Sequence, residues 1–221
     1  MSGLQRATLG YVAPFAAFVG IMALEKSVLH NQHLYPVRCL AVLLVILIFS
    51  RPYLSFRPTR PLLSIAIGIA VFLIWVAPDI LFGYRHHWLF ENSILGTSQS
   101  TIAAADQSSW FFLATRCFGS VILVPILEEL FWRGWLMRWL VDAEFTKVKL
   151  GTYTALSFWG VAILFACEHG PYWEVGLLAG IIYNFWLIRT RNLADCILAH
   201  AVTNGILAVY VINTGSWRYW L

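Results

Sequence analysis

An all-α bundle of membrane-spanning helices is the fold class this sequence predicts, on three observations. Of its 221 residues, 60% are hydrophobic and only 12% are charged, with a mean hydropathy of +0.72. A soluble domain of this length needs far more charge to cover its surface. Uncharged runs approaching the roughly 20 residues that cross a bilayer recur along the chain. Eleven Trp and nine Tyr complete the pattern, because these rings favour the membrane–water interface.

The expected elements follow in order. Residues 7–24 are uncharged and long enough to span. They are expected to form a retained anchor, since no small-residue cleavage site precedes a polar mature region. Residues 34–50 make a second span with Arg38 near one end, and 61–78 a third. Residues 79–109 are polar and form the longest loop, with a short interfacial segment near 88–90. Residues 110–140 are apolar but interrupted by Arg116, Pro125, Glu128, Glu129, Arg133 and Arg138. This is one long helix kinked at Pro125, or two helices meeting there. Residues 150–167, 175–188 and 196–217 complete seven spans, or eight if the Pro125 segment splits. No boundary separates a second domain, so 1–221 is expected to be one transmembrane unit.

Basic residues orient the chain. With the N-terminus in the cytoplasm, the cytoplasmic segments hold Arg6, Arg51, Arg57, Arg60, Arg138, Lys147, Lys149, Arg189 and Arg191. The outer segments hold Lys26, Arg38, Arg85 and Arg218. That asymmetry favours N-in and C-out. The net charge of +4 and pI of about 9.0 therefore report topology, not a nucleic-acid surface. Cys39, Cys117, Cys167 and Cys196 show no CxxC pairing and are expected as small core residues.

Ionisable groups inside spans cost about 2.5–3.5 kcal/mol each and must be paired or useful. In the stretch LEELFWRGWL, Glu129 and Arg133 are four apart with the acid first, the favourable spacing for a helical ion pair. Glu128 points about 100° away and needs a partner from another span. His169, in FACEHG before the helix-stopping Gly170 and Pro171, is one candidate. His200 is another, four residues before Asn204 on one helical face. Glu168 and Glu174 read as loop charges, Glu25 as interfacial, Arg116 as a bundle counter-ion, and Asp195 as the cap of the last helix.

Together, Glu128-Glu129-x-x-x-Arg133, Phe165-x-x-x-His169 and His200-x-x-x-Asn204 resemble the three motifs of the CPBP family, in order and each in or at the end of an apolar run. That family holds the type II CAAX prenyl endopeptidases and Abi-like relatives, which are glutamic intramembrane proteases. The resemblance covers residues 110–211, with 1–109 left as accessory spans. Small size and aromatic richness are similar to the bacterial CAAX-protease-related proteins of exosortase systems, which implies the bacterial cell membrane.

The resemblance implies that Glu128 activates a water, that His169 shares it, and that His200 and Asn204 donate to the oxyanion. Glu129, Arg133 and Phe165 would support them. It implies a protein or peptide substrate, lipidated or not, and no cofactor. Two other classes remain open on the residues alone. Acids and histidines also ligate zinc, although no HExxH is present. Intramembrane acids also build proton relays in transporters, and a scaffold or immunity protein could keep the same polar set. One geometric demand is explicit. His169 falls at one end of its span and His200 nearer the middle of its own. The two share a depth with Glu128 only if the helix restarts near Pro125 and the last helix is short or tilted.

Overall fold

The computed structural model describes residues 1–25, 27, 34–100 and 102–220. It is helical throughout, with seven principal helices among the described residues. These are α1 (Gly3–Leu24), α2 (Tyr35–Tyr53), α3 (Pro61–Phe82), α4 (Trp110–Trp139), α5 (Ala155–Cys167), α6 (Trp173–Thr190) and α7 (Leu193–Thr214). Five of them, α1 to α4 and α7, are long and apolar enough to cross a bilayer. At 13 residues, α5 rises only about 20 Å, short of a hydrocarbon core of about 30 Å.

The surface matches lipid as solvent. On α2, Val37, Leu40, Leu44 and Leu47 are exposed along one stripe, and on α3 Leu62, Leu63 and Leu73 are exposed. Helix pairing instead relies on small residues, as expected where lipid is as apolar as leucine. Helix α3 lies along α7, and a β-carbon at Gly68 would fall on the Ala199 carbonyl oxygen. Helix α5 lies along α6, where Gly180 faces Ala162. Helix α1 packs on α2 and α4.

Residues 110–139 form a single helix, not two. Pro125 is absorbed by a π turn at Gly119–Leu123, in which the Val124 amide donates to the Gly119 carbonyl. In that register the Ser120 carbonyl would await the amide of residue 125, and proline has none. A side chain from α7 supplies the missing donor, as described below. A second π segment covers Glu129–Leu136.

Several charges sit differently from their sequence expectation. Glu25 is buried and pairs with Arg38 at 3.4 Å, so it is an ion-pair partner and not an interfacial charge. Lys26 lies outside the described residues. Arg116 stacks on the Tyr35 ring at 4.8 Å. Asp79 belongs to the last turn of α3 and not to the loop. The four cysteines are free, with Cys39 and Cys196 buried, Cys117 half-buried and Cys167 exposed.

Asp195 is not the cap of α7. Asn192 caps that helix, accepting from the Ala194 amide at 2.9 Å. The Asp195 carboxylate reaches across to the start of α3. It accepts from the Thr59 amide (2.9 Å), the Thr59 hydroxyl (2.6 Å), the Arg60 amide (2.8 Å) and the Ser64 hydroxyl (3.0 Å). Pro61 leaves the first turn of α3 to be capped from outside, and a neighbouring helix does it. Asp195→Ala should cost about 3 kcal/mol, because buried donors lose a charged acceptor together. Thermal unfolding in detergent would show it, and an unchanged midpoint would refute the staple.

The segment between α3 and α4 covers one end of the bundle. Arg85, 2% exposed, binds the Pro171 carbonyl at 2.7 Å and Glu174 at 2.6 Å, with Asp79 at 3.7 Å. Glu174 is thus a half-buried counter-ion in the first turn of α6 and not a loop charge. No helix forms at 88–90; those residues make a turn. Glu91 closes the loop by accepting from the Ser98 amide at 2.7 Å and from the Ser98 hydroxyl, with His86 at 3.0 Å. The Ser98 hydroxyl is the main cause that holds the Glu91 carboxyl down at about 2, below its usual 4.5. A depressed folded value stabilises the loop above pH 4.5, and that contribution disappears as pH falls toward about 2. The stability gap between wild type and Glu91→Gln should therefore be constant near neutrality and close on acidification. A gap that widens in acid would contradict this.

Candidate active site

Glu128, His169, His200 and Asn204 come from two helices, α4 and α7, and the end of α5, and they line one cavity of about 80 Å³. Such a volume holds a few waters. The short α5 is what reconciles their depths. Because it rises only about 20 Å, the His169 turn lies within the bundle and level with the middle of α4. The restart at Pro125 is not needed.

The two adjacent carboxylates have distinct surroundings. Glu129 is fully buried and accepts from Arg133 at 3.3 Å, the ion pair its spacing predicts. Arg133 is fully buried as well. Its Nε donates to Asn184 Oδ1 at 3.0 Å, its Nη2 to the Gly180 carbonyl at 3.4 Å, and its guanidinium lies 4.4 Å over the Phe165 ring. Asn184 in turn donates to the Phe158 carbonyl at 2.8 Å. Glu129 is not confined to that pair. Its Oε1 also meets His200 Nδ1 at 2.9 Å. Glu128 has the opposite character. Its Oε2 is buried with no hydrogen-bond partner and faces His200 Nε2 at 3.9 Å. One imidazole therefore stands between both carboxylates, one at each ring nitrogen.

The other two side chains are fixed by backbone. His169 Nδ1 lies 2.7 Å from the Phe165 carbonyl, which accepts from it and leaves Nε2 as the free nitrogen of a neutral ring. Trp75 meets that ring edge-on at 5.2 Å. Asn204 Nδ2 donates to the Ser120 carbonyl at 2.8 Å, the carbonyl that Pro125 leaves unpaired. One of its two amide hydrogens is thus committed to α4, and the other remains for the cavity.

Sequence reasoning missed six contributors. Tyr183 stacks on His200 at 5.2 Å and bonds Thr203 at 2.7 Å. The Thr203 hydroxyl donates to the Gly68 carbonyl at 2.9 Å. Trp75 and Val71 of α3 line the cavity, so the N-terminal helices form part of its wall. Asn184 had a usable signal, a lone amide in an uncharged run. Glu168, read as a loop charge, accepts from Trp132 Nε1 at 3.1 Å beside the site. Among the described residues, no three His, Cys, Asp or Glu side chains are grouped to hold a metal ion.

Fold and site together define a polytopic helical membrane protein with a polar, acid- and histidine-lined cavity inside its bundle. Residues 106–206 match the family model described as Type II CAAX prenyl endopeptidase Rce1-like. The match falls on the same stretch as the three motifs that resemble the CPBP family, and its range agrees closely with theirs. No curated protein and no solved structure matches the chain.

Proposed function

We propose that this protein is an intramembrane endopeptidase that hydrolyses a peptide bond near the C-terminus or the membrane-proximal part of a protein substrate. The observation that carries the reading is Glu128, a carboxylate without a hydrogen-bond partner that lines a water-sized cavity between two histidines. A general base must reach its proton through a hydrogen bond or one water, and among the described residues nothing else occupies that oxygen.

In this mechanism water sits between Glu128 and His169 Nε2. Glu128 takes its proton as the oxygen attacks the scissile carbonyl. The tetrahedral intermediate places its oxyanion toward His200 and Asn204. Asn204 offers its second amide hydrogen. His200 Nδ1 is already directed to Glu129, so its Nε2 carries a proton only in the imidazolium form. His200 therefore acts as a cationic donor, with Glu129 and Arg133 fixing its ring. Preorganised donors of this kind are worth roughly 3–4 kcal/mol each. Collapse of the intermediate breaks the C–N bond, and protonated Glu128 returns its proton to the leaving amine. No cofactor enters.

The proposed setting is the bacterial cell membrane, which the family resemblance implies, with the N-terminus cytoplasmic on the distribution of basic residues. The substrate is a protein or peptide, lipidated or not, taken from the bilayer. Purified protein in detergent should cleave a quenched-fluorescent CAAX-type peptide, or members of a library of membrane-protein tails, in the presence of chelator. Cleavage abolished by chelator and restored by zinc would replace this mechanism with a metal-dependent one. Proton-coupled uptake into vesicles with no cleavage of any substrate would replace it with transport.

A further inference from the structure

A second cavity, of about 330 Å³, lies at the end of the bundle where α2 and α6 finish and α3 and α7 begin. It is lined by Tyr11, Tyr53, Ser55 and Arg191 above an apolar floor that includes Leu150 and Ile197. The side chains of those four polar residues make no hydrogen bond or ion pair among the described residues. Arg191 and Ser55 are exposed and Tyr11 and Tyr53 half-buried, so these polar atoms are open to a ligand's oxygens entering the cavity. The nearest acid, Asp195, is spent on Thr59, Arg60 and Ser64.

With Asp195 so engaged, the charges left to face a ligand here are cationic. Behind Tyr11, Arg138 stacks on its ring at 4.9 Å. Arg138 is 8% exposed and donates to the Gly134 and Val148 carbonyls, but among the described residues it has no carboxylate partner and its buried Nη2 has no acceptor. A buried guanidinium without a counter-ion is costly. Arg191 adds a second cation, held at φ 50, a left-handed conformation that a non-glycine residue rarely adopts. Strain of that kind persists where the surrounding structure imposes it. Here a β-carbon at Gly151 would press on both the Leu187 carbonyl and the Arg191 side chain, so the 148–154 loop packs directly against this turn.

We propose that this cavity binds a phosphate-bearing anion, the headgroup of an anionic phospholipid. Arg191 takes the phosphate in a charge-assisted pair, and the Tyr11, Tyr53 and Ser55 hydroxyls donate to its remaining oxygens. The apolar floor receives the glycerol and first methylenes. The bundle end carries a surplus of Arg and Lys, which draws anionic lipid to it. The site is separate from the protease cavity. Ile197 lines one and His200 the other, about one turn apart on α7.

The test is thermal unfolding of the full protein in detergent, titrated with phosphatidylglycerol, phosphatidylcholine or inorganic phosphate. Phosphatidylglycerol should raise the midpoint by several degrees and phosphatidylcholine should not. Arg191→Gly accepts φ 50 without strain, so the variant should fold, and its half-saturating lipid fraction should rise about tenfold or more. Tyr53→Phe should weaken the effect partly. Arg57→Gln, a basic residue at the same end but outside the cavity, should leave it intact. Stabilisation by inorganic phosphate that Arg191→Gly abolishes would keep the anion site and make its source a free phosphate. Equal stabilisation of wild type and Arg191→Gly, or equal loss in Arg57→Gln, would overturn the proposal.

Discussion

Glu128→Gln should lower peptide hydrolysis by about 10²–10⁴-fold while leaving the protein folded, the range that loss of a general base produces. The substitution is nearly isosteric and breaks no hydrogen bond, because the Glu128 Oε2 atom has none to lose. The amide cannot accept the water's proton, so the attacking oxygen keeps it. Glu129→Gln one residue later should behave differently. It withdraws the charge that Arg133 and His200 share, at 3.3 and 2.9 Å, and should lose both activity and stability. Turnover of a quenched peptide beside thermal unfolding separates the two. If Glu128→Gln retains turnover within about threefold of wild type, the water activation assigned to it is wrong. If both variants unfold alike, the distinction between a free and a structural carboxylate fails.

Much of this was legible in the chain, and the illegible parts have physical causes. Glu129 and Arg133 declare their pairing because helical spacing is a local property, and the π segment at Glu129–Leu136 still brings i and i+4 together. The gathering of Glu128, His169, His200 and Asn204 follows from motif order and apolar context. The contact of His200 with Glu129 does not, since it depends on the rotation of α7 against α4. Asp195 shows the same limit. Its position in the first turn of α7 suggests a cap for its own helix, yet the capped helix is α3, 131 residues away along the chain at Ser64. Glu174 and Glu25 look like loop and interface charges until packing supplies Arg85 and Arg38. Pro125 is the most instructive element. A proline in a span reads as a kink or a break. The extra residue of a π turn and the amide of Asn204 together absorb it, so that one helix carries Glu128 past it.

The Arg133 network sets the second large effect. Arg133→Met should destabilise the bundle by about 3–5 kcal/mol, because it leaves Glu129 buried and without its cation. It also strands Asn184 Oδ1 and the Gly180 carbonyl, both of which accept from the guanidinium. The double variant Glu129→Gln/Arg133→Met removes both charges and should recover a sizeable part of that loss. Replacing a whole buried pair is far less costly than breaking it. Catalysis should not recover with it. His200 would then face a neutral amide at Nδ1, and the imidazolium that donates to the oxyanion would have lost its counter-charge. Stability regained without activity is the signature of an ion pair that holds the helices and the histidine at once. Activity restored along with stability in the double variant would reduce Glu129 and Arg133 to packing, and His200 would need no partner at Nδ1.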